Sequence, residues 1–75
     1  MKLVKIKPFG GFYLPEDREY LYDDDCARWI NINSITTIIY NPKTCCCKSH
    51  YSITLATGHG YKCYSLPWEL KGEMK

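Results

Sequence analysis

Between Tyr51 and Ala56 the chain alternates: Tyr51, Ile53 and Leu55 are large and apolar or aromatic, and Ser52, Thr54 and Ala56 are small or polar. A period of two marks an extended strand with one covered face. Directly after it, Thr57-Gly58-His59-Gly60 supplies the glycines that a tight reversal with positive φ requires, so the chain turns back as a β-hairpin. A two-residue loop, Gly58-His59 or His59-Gly60, puts Ile53 and Leu55 on the same face as Tyr64 and Leu66, and these four become the expected core of the hairpin.

The rest of the chain reads in the same style. Lys2 to Lys7 alternates, with Val4 and Ile6 opposed to Lys5 and Lys7, until Pro8 ends the run. Gly10-Gly11 then allows Phe12 to Leu14 to return before Pro15, which predicts a first hairpin. Glu16 to Asp25 (EDREYLYDDD) reads as an exposed acidic loop, because three successive aspartates discourage helix. Cys26 to Ile39 restores β character, with a kink near Asn33-Ser34. Ile30 and Ile32 share one face, and Ile35, Ile38, Ile39 and Tyr40 fill the core of a central strand pair or of one bent strand. Asn41-Pro42 opens a loop through Cys45-Cys46-Cys47 to Tyr51. Ser65 to Lys75 forms a short helix, with Pro67 in its first turn, Trp68 on the sheet and Gly72 limiting its length. Five or six short strands joined mostly by tight turns predict a mainly β fold, a small antiparallel SH3-like or OB-like barrel or rolled sheet with a short C-terminal helix.

A length of 75 residues leaves room for one domain, 1–75. Hydrophobic residues at 45% and charged residues at 24% suit a chain that folds rather than one that stays disordered. The apolar stretches are far shorter than the roughly 20 residues that cross a bilayer, so no membrane is expected as a partner. The first residues, MKLVKIKPFGGFYL, resemble a signal peptide only briefly, since Lys5 and Lys7 interrupt the apolar part. They read as a strand of a cytoplasmic protein, in which the five cysteines stay as free thiols.

Two clusters of residues invite chemistry. Cys45, Cys47, His50 and Cys63 are the candidate ligands of a zinc-stabilised domain. Neighbouring residues of an extended segment point apart, however, and the usual C-x2-C spacing is missing, so the expected metal and cofactor complement is none. A catalytic Cys-His pair would need His50 or His59 in an enclosed site, and a turn-tip His59 suits exposure instead. The chain is therefore read as non-enzymatic.

Charge is sharply divided. Residues 16–25 hold six acids against Arg18, and the remainder holds nine bases against Glu69 and Glu73. Asp17, Glu19, Tyr20, Tyr22, Asp23, Asp24 and Asp25 mix anions with aromatic anchors, a combination suited to a protein partner. The alternative surface is basic and aromatic: Lys48, Tyr51, Tyr61 and Lys62, supported by Trp29, Tyr40, Lys43 and Tyr64, would stack and hold a nucleic acid.

The segment Ile32-Asn33-Ser34-Ile35-Thr36-Thr37-Ile38, followed by Tyr51-Ser52-Ile53-Thr54-Leu55-Ala56-Thr57-Gly58 and Tyr61, resembles small bacterial FlbD-like proteins, which share an Asn-x-x-x-I-x-x-I segment and an I-T-L-x-x-G-x-x-Y hairpin. The likeness covers about a third of the chain and implies a β fold. The chain is also reminiscent of small phage or mobile-element proteins, many of which occlude a host protein. The resulting expectation is a protein-binding module with a host-derived partner, of undetermined oligomeric state, with nucleic-acid binding or a zinc-stabilised structural role as alternatives.

Overall fold

The computed structural model describes residues 2–14, 18–21 and 27–71. Within them are seven strands in chain order, β1 (Leu3–Ile6), β2 (Gly10–Tyr13), β3 (Arg18–Leu21), β4 (Arg28–Asn31), β5 (Ile35–Asn41), β6 (His50–Leu55) and β7 (His59–Cys63), and then one short helix, α1 (Trp68–Lys71). The fold is mainly β, as the alternation implies, with all strand pairs antiparallel. A two-stranded sheet pairs β1 with β4, and a five-stranded sheet has the order β3-β2-β7-β6-β5.

The core lies between the two sheets. Val4, Ile6 and Ile30 come from the two-stranded sheet and Ile38, Ile53 and Cys63 from the five-stranded one, with Leu66 and Leu70 closing the end. Ile32, Ile35, Tyr51, Leu55 and Tyr61 pack around this cluster. Each fully buried aliphatic side chain of this size contributes on the order of 1.5–3 kcal/mol, so these few residues dominate the stability of so small a fold.

The kink expected near Asn33-Ser34 is a 3₁₀ turn, Ile32–Ser34, capped where the Asn33 amide donates to the Asn31 side chain at 3.0 Å. It carries the chain from one sheet to the other, so β4 and β5 are strands of different sheets. β5 is an edge rather than a central strand, and β7 holds the centre. Only Ile38 of β5 is fully buried; Ile39 and Tyr40, expected in the core, are exposed.

The first hairpin is not formed. The Phe9 amide donates to the Lys62 carbonyl at 2.8 Å and so commits the chain after Pro8 to β7, while β1 finds its partner in β4. Part of the expected acidic loop is also a strand: Arg18–Leu21 pairs with β2, whose Gly10 and Gly11 leave room for Leu21 and Tyr20 to lie across them.

The second hairpin forms where expected, with a different loop. The Gly58 amide donates to the Leu55 carbonyl at 2.9 Å, and Gly58 has a φ of 90°, giving a three-residue loop, Ala56–Gly58, closed by a left-handed glycine. The odd count reverses the facing of β7. Ile53 stands opposite Tyr61 and Tyr51 opposite Cys63, so Cys63 enters the core and Tyr64 is turned out, 55% exposed.

Helix α1 follows a turn in which the Leu70 amide donates to the Pro67 carbonyl at 3.0 Å. Leu70, not Trp68, is its buried residue; Trp68 is 80% exposed. Both β3 and β5 are edges of the larger sheet, so among the described residues the sheet is open, without the hydrogen-bonded closure of a barrel.

Candidate functional site: an aromatic outer face beside a free strand edge

The strand register divides the five-stranded sheet into an inner face, on the core, and an outer one. Opposed pairs Phe12–Gly60, Phe12–Glu19, Ser52–Lys62, Ile39–Ser52 and Asn41–His50 all belong to the outer face. They enclose a groove of about 340 Å³ lined by Phe12, Glu19, Ile39, His50, Ser52 and Lys62, among others.

Glycine shapes its floor. A Cβ on Gly60 would overlap the ring of Phe12, so the far end of the ring sits against the bare backbone of the central strand. On the groove wall Lys62 Nζ contacts Glu19 Oε1 at 2.8 Å. The hydrogen bond and charge of Lys62 hold the Glu19 carboxyl below its ordinary range. The basic charge of Lys62 is thus answered within the sheet.

One end of the outer face is aromatic. Phe9 and Tyr64 stack with ring centroids 4.0 Å apart, His50 meets Phe9 edge-on at 5.7 Å, and Lys48 Nζ sits 5.9 Å from the Tyr64 centroid. Nδ1 of His50 donates to the Lys48 carbonyl at 3.0 Å, which fixes the ring. Along one side runs β5, seven residues with no charge and no strand on its outer flank among the described residues. Ile39, 50% exposed, lies on both this edge and the groove wall.

The inner face carries a second cluster near the hairpin turn. Tyr20 Oη is hydrogen-bonded to Nε2 of His59 at 2.7 Å, and His59 is flanked by Tyr13 at 4.8 Å and Tyr61 at 4.7 Å. Burial, followed by the charge of Arg28, lowers the His59 pKa, and burial raises that of Tyr61. His59 is half-buried among aromatic rings rather than displayed at a turn tip, a correction that follows from the longer loop.

Of the acidic, aromatic contact set, Glu19 is engaged with Lys62, and Tyr20 lies over Gly11 against His59. Asp17, Tyr22, Asp23, Asp24 and Asp25 lie outside the described residues. Of the basic, aromatic set, Lys48 and Lys62 belong to the outer face, whereas Tyr51 and Tyr61 pack on the core from the inner face, so these four do not make one patch. The aromatic groups that do accompany the lysines are Phe9, Phe12 and Tyr64. The strand alternation holds the signal for Tyr64, provided that the hairpin loop is counted as three residues, whereas Phe9 lies just before β2 and outside its alternation.

Nor are the four candidate zinc ligands assembled. Cys63 is in the core, 1% exposed, and burial pushes its thiol up to about 12, whereas Cys45 and Cys47 are exposed in the β5–β6 loop. Among the described residues no group of three or more His, Cys, Asp or Glu is placed to hold a metal. Among them, too, no helix is long and apolar enough to cross a membrane.

No family profile, curated protein or solved structure matches the chain. The likeness to FlbD-like proteins therefore rests on the residues quoted for it alone.

Proposed function

We propose that this chain is a non-catalytic protein-binding module that accepts an extended apolar segment of a partner protein as an added strand along β5. The observation that carries this reading is the seven-residue edge without a charge, bordered by a groove into which alternate side chains of an added strand can descend. Natural edge strands are commonly guarded by lysine, proline or a covering loop. Here Pro42 and Lys43, just beyond the strand, have that character, and none of the seven strand residues does. Main-chain hydrogen bonds would give affinity, and Phe12, Ile39 and His50 would select the side chains.

Between the two macromolecular partners that composition allows, the Lys62–Glu19 contact favours protein. A lysine of the groove wall already paired with a carboxylate offers little to a phosphate backbone, whose binding depends on free cations. Rolled sheets of the small SH3-like and OB-like barrels bind ligands on comparable faces, and that architecture is part of the proposal. Occlusion of a host protein is one role such a module would fill.

The test is capture of partners by the intact protein, after nuclease treatment, with wild type and Ile39→Lys in parallel. A stoichiometric protein retained by wild type and weakened by about tenfold or more in Ile39→Lys, a change of ~1.4 kcal/mol, supports the reading. Equal retention by both, or recovery only of nuclease-sensitive material, overturns it.

A further inference from the structure

The loop between β5 and β6 carries Cys45, Cys46 and Cys47 in succession, all three exposed. In an extended segment such neighbours diverge, but this segment turns about Thr44. The Thr44 amide donates to the Cys47 carbonyl at 2.9 Å, and Thr44 Oγ1 accepts from the amides of Cys46 at 3.3 Å and Cys47 at 3.1 Å. As a result, the Sγ atoms of Cys45 and Cys46 lie 3.3 Å apart.

We propose that Cys45 and Cys46 form a two-thiol chelating site for a soft, thiophilic centre of low coordination number, of which trivalent arsenic is the representative chemistry. Soft thiolate ligands select soft centres, whereas zinc in a structural site requires four ligands. The four-ligand set is not available, because Cys63 is sealed in the core. Two ligands from adjacent residues are enough for a centre that needs only two sulfurs and retains its own organic group. A recess of about 360 Å³ beside Cys46 and Cys47, walled by Phe9, His50 and Tyr64, offers an aromatic surface to that group. The site does not depend on the protein-binding reading of β5.

The binding step balances without an oxidant. With an arylarsenic(III) oxide, two As–S bonds form, the arsenic–oxygen bond breaks, and the two thiol protons leave with that oxygen as water. Arsenic stays trivalent and neither sulfur is oxidised.

The experiment is titration of the intact, reduced protein with phenylarsine oxide, read by native mass spectrometry and by competition with a small dithiol. Wild type is expected to form a one-to-one adduct that resists the competitor. Cys45→Ser and Cys46→Ser each break the pair whose sulfurs lie 3.3 Å apart and should lower retention by about 10²-fold or more. Cys47→Ser should retain the wild-type affinity. These substitutions lie in an exposed loop, and circular dichroism of each variant confirms the fold. Wild-type retention in either Cys45→Ser or Cys46→Ser, or a loss in Cys47→Ser as large as theirs, would overturn the assignment.

Discussion

Replacing Gly60 by alanine tests the floor of the groove, because its φ lies outside the left-handed region and the added Cβ meets the Phe12 ring rather than a backbone prohibition. Three ring atoms crowd the new methyl group, so the ring must lift off the strand. Overpacking of this kind costs about 1–3 kcal/mol. Against it stands the gain of roughly 0.5–1 kcal/mol from exchanging a strand glycine for alanine. The net expectation is a loss of about 1–2 kcal/mol, or a fall in Tm of several degrees at roughly 4–8 °C per kcal/mol in a domain of this size. In a Phe12→Ala background nothing occupies that space, and the same substitution should stabilise by about 0.5–1 kcal/mol. The double-mutant cycle, measured by urea denaturation with equal m-values, should therefore give a coupling near 2 kcal/mol. If Gly60→Ala costs the same in both backgrounds within ~0.5 kcal/mol, Phe12 does not rest on Gly60 and the groove has another floor.

Other outcomes follow from single groups. His59 has its folded pKa held below the ordinary ~6.5, so the unfolded chain takes up the proton first as pH falls; stability should decline as pH drops through that value, and His59→Gln should remove this slope in pH-dependent urea melts. Glu19 is depressed in the same sense, so its contact with Lys62 is present above the ordinary carboxylate range and lost on acidification; Lys62→Met should flatten that acid limb. The Cys63 thiol, buried and raised to about 12, should resist alkylation in the folded protein and react only on unfolding, whereas Cys45, Cys46 and Cys47 modify at once, as peptide mapping by mass spectrometry would show. Ile39→Lys, at a half-exposed edge position, should alter stability by no more than ~0.5 kcal/mol, so any loss of partner binding reflects the edge itself.

Much of the strand content was legible because burial on one face imposes a period of two, and Val4, Ile6, Ile30, Ile38 and Ile53 announce it. The kink was legible at Asn33-Ser34, whereas the cap that Asn31 supplies to the 3₁₀ turn emerges only in the structure. Pairing was harder to read. β1 and β2 are adjacent in sequence, yet nothing local tells that Phe9 bonds to a carbonyl 53 positions later. The face assignment of β7 depended on one residue in the loop. Counting two instead of three exchanged Cys63 for Tyr64, and with them the core for the surface. Likewise, the candidate site was visible in its lysines and Tyr64 but not in Phe9 and Phe12. Tyr51 and Tyr61 alternate with the outward positions, so the residues that look most suited to stacking are spent on the core.

The most direct test of the central claim is amide hydrogen exchange of the protein with and without its captured partner. New protection concentrated in Ile35–Asn41, with weaker effects at Phe12 and His50, is the predicted result, since an added strand bonds the free flank of β5. Protection confined to Arg18–Leu21 or to the β1–β4 sheet, with β5 exchanging as it does in the free protein, would contradict it.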